Sequence, residues 1–146
     1  MGLSAFLSKT QQSSIVKAIE DAENCTSGEI RVHIEPKCTN KDTCQRAVEV
    51  FNKLKMYETR ERNAVLIYIA YKAHKFAIIG DLGINKIVPD NFWESEKLTL
   101  ASYLKDNKPA EGLCKVIIQI GNSLKSNFPH QPDDINEQSN EISYND

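Results

Sequence analysis

Apolar residues recur at helical spacing from Ile15 through Ala18 and Ile19 to Ala22, predicting a helix over about Lys9 to Asn24. Ser8 with Gln11 three positions on supplies a capping box at its start, and Cys25-Thr26-Ser27-Gly28 stops it. Glu29 to Glu35 switches to strict alternation. Ile30, Val32 and Ile34 share one face of a strand, while Glu29, Arg31, His33 and Glu35 share a face that reads as wet or cleft-lining. A second helix runs from about Lys41 to Leu54 on the stripe Ala47, Val50, Phe51 and Leu54. The run from Asn63 to Ala70 is almost continuously apolar, as in a central strand covered on both faces. Lys75 to Gly80 follows after four residues and predicts an antiparallel hairpin partner. A helix from about Asn91 to Lys105 would pack through Phe92, Leu98, Ala101 and Leu104. Another, opening at Pro109, carries Leu113, Val116, Ile117, Ile120 and Leu124.

Helices before, between and after three strands define an α/β class: a three-layer α/β/α sandwich with a small mixed β-sheet flanked by helices. At 146 residues the chain fits one domain, read as 1–130, followed by an acidic, flexible tail at 131–146. If the first two strands are parallel and the third antiparallel, Glu29, Asn63 and Asp81 share one edge of the sheet.

Charge narrows the function. Residues 129–146 hold five acids and no Lys or Arg, leaving 18 bases against 15 acids in the body. That balance is too mild for a nucleic-acid footprint. No run of about 18 apolar residues exists to span a membrane, and the N-terminus lacks signal-peptide and myristoylation patterns. Cys25, Cys38, Cys44 and Cys114 form no C-x-x-C pair and read as reduced thiols, although the spacing of Cys38 and Cys44 would allow a bridge. The histidines show no local zinc spacing. A cytoplasmic monomer is expected.

Nucleophile signatures are missing. Neither Cys38 nor Cys114 is followed, after five intervening residues, by the Arg of a cysteine phosphatase, and there is no D-x-D, P-loop or G-x-S-x-G. What remains is a set of carboxylates near turns (Glu29, Asp81 and Asp90) with Arg60, Arg62 and Asn63 close by in the expected fold. Such oxygen donors suit Ca²⁺ or Mg²⁺, and Arg62 could hold a phosphate in its planar fork. Plainer roles stand beside these. Asp81 could be a turn former, Asp90 a helix N-cap, Glu29 a solvated strand-end charge, and Arg62 a surface ion-pair residue. Trp93 and Tyr103 read as packing residues.

Several segments, in order, resemble the TPM phosphatase domain family of thylakoid-lumen phosphatase-like proteins. They are Thr26-Ser27-Gly28-Glu29-Ile30-Arg31-Val32 and Thr59-Arg60-Glu61-Arg62-Asn63-Ala64-Val65-Leu66-Ile67-Tyr68, followed by Phe76-Ala77-Ile78-Ile79-Gly80-Asp81-Leu82-Gly83, Glu111-Gly112-Leu113 and Phe128-Pro129. The resemblance implies an α/β/α sandwich, divalent-cation binding at an acidic cleft and, for part of the family, phosphomonoester hydrolysis. Glu29, Arg62, Asn63 and Asp81 match its motif positions, with Asp90 placed approximately. Unlike many relatives, this chain shows no export signal, membrane anchor or Gly-rich tail, and Ala64 stands where Gly is common.

The leading expectation is therefore a regulatory or scaffolding module binding Ca²⁺ or Mg²⁺ through Glu29, Asp81 and Asp90. In the first alternative, a metal-assisted acid phosphatase, Asp81, Arg62 and Asn63 would act on a phosphorylated substrate. In the second, the domain would bind a protein partner without metal.

Overall fold

A computed structural model describes residues 3–130 and 139–145. Most of the acidic tail, 131–138, and Asp146 thus lie outside the described residues. The chain starts with a short helix α1 (Leu3–Phe6), followed by α2 (Lys9–Glu23), β1 (Glu29–Glu35) and α3 (Thr43–Lys53). After a 3₁₀ turn at Met56–Glu58 come β2 (Ala64–Ala70), β3 (Lys75–Gly80), α4 (Leu82–Asn85), α5 (Glu94–Lys105), α6 (Pro109–Lys125) and β4 (Ser143–Tyr144). The strand order is β3-β2-β1-β4. β1 runs parallel to β2 and β4, and β2 runs antiparallel to β3, giving a mixed sheet.

The local rules hold where one side chain decides. Ser8 and Gln11 form the reciprocal capping box at α2. Asp42 caps α3 by accepting from the Cys44 and Gln45 amides at 2.9 and 3.3 Å.

The sheet separates two apolar cores. Ile30, Val32, Ile34, Val65, Ile67 and Ile69 pack under α2, α5 and α6, while Leu66, Tyr68 and Ala70 meet α3 on the other side. The fold is thus α/β with helices on both faces. No helix among the described residues is long and apolar enough to cross a membrane. All four cysteines are unbridged, so Cys38 and Cys44 do not pair.

Three differences from the sequence expectations have physical causes. α5 begins at Glu94 after a turn, with Trp93 at its N-cap position, so Asp90 is an exposed turn residue and not a cap. Its buried line is Glu96 and Leu100, and Leu98 is 71% exposed. Close packing against α6 sets that face: a Cβ on Gly112 would sit 2.5 Å from Tyr103 Cβ.

Secondly, Ser143–Tyr144 in the stretch read as tail adds a fourth strand to the edge of β1, and Ile142 is buried in the larger core. Two paired residues in a polar stretch carry too little alternation to be recognised as a strand.

Thirdly, the polar face of β1 is not wet. Glu29, His33 and Glu35 are all buried.

Candidate functional site

The register places Glu29 beside Ala64, and the Asp81 amide donates to the Ala64 carbonyl at 3.0 Å. Glu29, Asn63 and Asp81 therefore do lie along one edge of the sheet, at the amino ends of β1 and β2. The loops along this edge are locked together. Gly83 donates to the Arg62 carbonyl at 2.8 Å, and a Cβ on Gly83 would stand 2.0 Å from the Glu61 carbonyl oxygen, which only glycine permits. Arg62, in the left-handed region at φ 52°, turns its guanidinium onto Asp81. Nε donates to Oδ2 at 2.6 Å and Nη2 to Oδ1 at 2.8 Å, while Oδ1 also accepts from the Leu82 amide at 2.7 Å. Asp81 is thus both an ion-pair partner and the cap of α4.

Asn63 is buried and donates through Nδ2 to Ser27 Oγ and Glu61 Oε2, both at 3.1 Å, while its Oδ1 has no hydrogen-bond partner. Asp90 lies in the exposed turn between α4 and α5.

The sequence pattern passed over the acidic hollow beside this edge. It has a volume of about 490 Å³ and lies where α2 ends and β1 begins, lined by Glu20, Asp21, Glu23, Asn24, Thr26 and Glu29 among others. Thr26 is held by its hydroxyl on the Phe128 carbonyl and by a bridge to Pro129, so the α6 exit fixes the floor of the loop. Glu23 reaches back to accept from the Ile30 amide at 2.9 Å. Burial and the neighbouring Glu29 charge, with a smaller push from Glu20, raise its pKa to about 8, against the pull of that amide. Two carboxyls sharing a half-dry site hold a proton between pH 5 and 8 that an isolated carboxyl would release.

The other end of β1 is chemically its opposite. Arg46 Nε and Nη2 donate to Glu35 Oε2 and Oε1, both at 2.8 Å. The Tyr68 hydroxyl and Asn145 Nδ2 add two further donors to the same carboxylate. His33 lies 3.2 Å away through Nε2, with Nδ1 2.8 Å from Ser143 Oγ. Because an ionised carboxylate only accepts, Nε2 carries the proton and Nδ1 accepts from the serine. Burial pushes Glu35 up, but hydrogen bonds from Arg46, Tyr68, Asn145 and His33 hold it at about 2. Burial keeps His33 low despite Glu35, so the ring stays neutral. Ser143, His33 and Glu35 are connected in the order of a hydrolase triad. Here, however, the serine lies in ladder register with His33 and the carboxylate is saturated, so the chain of bonds clamps β4 to the sheet.

No group of three or more His, Cys, Asp or Glu side chains among the described residues is arranged to hold a metal ion.

A family model described as "TPM domain" matches residues 3–123. No curated protein matches the chain. Among solved structures, the NMR structure of the BA42 protein from the psychrophilic bacterium Bizionia argentinensis is similar at 41% identity and a TM-score of 0.91, over 98% of each chain. The N-terminal domain of the cg2496 protein from Corynebacterium glutamicum is similar at a TM-score of 0.65, covering 99% of this chain and 83% of that one. At 12% identity that second likeness concerns the fold alone.

Proposed function

The chain belongs to the TPM domain family, and on that premise we propose that it binds one divalent cation, Ca²⁺ or Mg²⁺, in the acidic hollow between α2 and β1. In this reading it is a regulatory or scaffolding module and not a hydrolase. The observation that carries the reading is the pairing of Glu23 with Glu29: burial and like charge hold a proton on Glu23 up to about pH 8. A hard cation relieves that repulsion and replaces the proton. Two carboxylates with neutral oxygens and water are what Mg²⁺ commonly takes, and Thr26, Ser27 and Asn24 line the same hollow. The cation expected at Glu29, Asp81 and Asp90 is therefore reassigned: Glu29 stays, and Glu23 replaces Asp81 and Asp90.

The hydrolase alternative loses support because both Asp81 oxygens accept from Arg62 and one of them also from Leu82. That leaves Asp81 poorly placed to activate water and occupies the guanidinium that would orient a phosphate.

Titration with Mg²⁺ and Ca²⁺, followed by amide chemical shifts, tests the site. Saturable shifts confined to residues 20–30, weakened at least about tenfold by Glu29→Gln, are expected. Shifts centred on 81–90, or untouched by that change, would contradict it. Hydrolysis of p-nitrophenyl phosphate that Asp81→Asn abolishes would restore the enzyme.

A further inference from the structure

At the carboxyl end of β2, where it turns into β3, lies a second cavity of about 400 Å³. The volume is that of a small-molecule site. Its apolar walls come from Phe6, Ile69, Phe76 and Leu104. Phe6 stacks on Tyr71 with ring centroids 4.9 Å apart and planes 13° from parallel, giving the cavity a flat aromatic side. Its polar lining is one-sided in charge: Lys75, Lys105, His74 and Asn107 contribute, and no Asp or Glu among the described residues does. Neither lysine has an ion-pair partner among the described residues. Pro109 brings the start of α6 to the wall, and Lys108 before it makes no side-chain cap, so the positive end of that helix adds to the field.

We propose that this cavity binds a small organic anion with a flat apolar body, such as an aromatic carboxylate. The ring would lie against Phe6, Tyr71 and Phe76, and the anionic head would meet Lys75 and Lys105. An uncharged molecule of the same shape gains only the apolar walls. A cation is disfavoured by both lysines, which separates this cavity from the acidic hollow in ligand and in place. Binding here is independent of the cation site, so either can fail without the other.

The probes are phenylacetate and, as its uncharged counterpart, 2-phenylethanol, each titrated into the whole chain with amide shifts as the readout. Phenylacetate is expected to shift residues 69–76 and 101–109 saturably and to bind at least about tenfold tighter than 2-phenylethanol. The double variant Lys75→Gln, Lys105→Gln, which changes two exposed side chains, should erase that difference while leaving 2-phenylethanol binding as it was. Equal affinity for the two probes, shifts elsewhere, or no saturable shift at roughly 10 mM phenylacetate would each overturn the proposal.

Discussion

Glu23 and Glu35 are the same kind of side chain near the two ends of one strand, and the fold drives them in opposite directions. Burial raises both. At Glu23 the neighbours that follow are carboxylates, Glu29 and Glu20, and the pKa climbs to about 8. At Glu35 the neighbours are donors from Arg46, Tyr68, Asn145 and His33, and it falls to about 2. A buried acid surrounded by donors is finished chemistry, a clamp holding α3, β2 and β4 on β1. A partly buried acid facing another acid keeps a repulsion that a proton or a positive charge would relieve.

The largest way to break this comparison is at the clamp. Glu35→Ala strands a nearly buried guanidinium and several donors, so it should cost about 3–5 kcal/mol, read from the urea unfolding midpoint. A loss under about 1 kcal/mol would mean the network is not closed. Next comes pH, where the two acids have opposite signs. Between 4.5 and about 8 folded Glu23 keeps a proton that the unfolded chain has released, so stability falls as pH rises through this window. At about 1.4 kcal/mol per unit the shift has a ceiling near 5, and residual solvent at a partly buried carboxyl cuts this to roughly 2–3 kcal/mol. Glu23→Gln should flatten that slope. Glu35, whose folded pKa is depressed, contributes stability that is complete above about 4.5 and lost as pH falls towards 2. Urea midpoints across pH 3–9 for wild type and Glu23→Gln check both signs.

Smaller again is the role of Asn145. Asn145→Ala removes one charge-assisted bond to Glu35 and should cost about 1–2 kcal/mol, with β4 amides losing hydrogen-exchange protection first. Smallest is the other Arg–carboxylate fork. Arg62 is bidentate on Asp81 as Arg46 is on Glu35, but its side chain is 42% exposed against 14% for Arg46. Arg62→Ala should therefore move the urea midpoint far less than Arg46→Ala, and equal effects would show that geometry outweighs solvent.

Much of the fold was legible because it is local. The Ser8–Gln11 box, the stripe from Leu113 to Leu124 and the alternation of Ile30, Val32 and Ile34 each act within a few residues of themselves. The convergence of Glu29, Asn63 and Asp81 followed from strand direction alone. The clamp was not legible, since Glu35 meets Arg46 from α3, Tyr68 from β2 and Asn145 from beyond α6, and alternation cannot say that a polar face will be covered. Leu98 was misplaced because the start of α5 depends on the turn at Asn91–Trp93 and its face on contact with α6. Glu23 was missed for a related reason: an acid in the last turn of a helix reads as solvated until β1 is laid beside it. Asp81 stood out from its place at a strand end, but the sequence does not show that Arg62 would pair with it across the edge.

The most direct test follows the Glu23 side-chain carboxyl carbon by NMR across pH 4–10, with and without Mg²⁺. The expected midpoint is about 8 without the ion, moving down by a unit or more with it as cation replaces proton. A midpoint near 4.5 that Mg²⁺ leaves unmoved would contradict the cation site at Glu23 and Glu29.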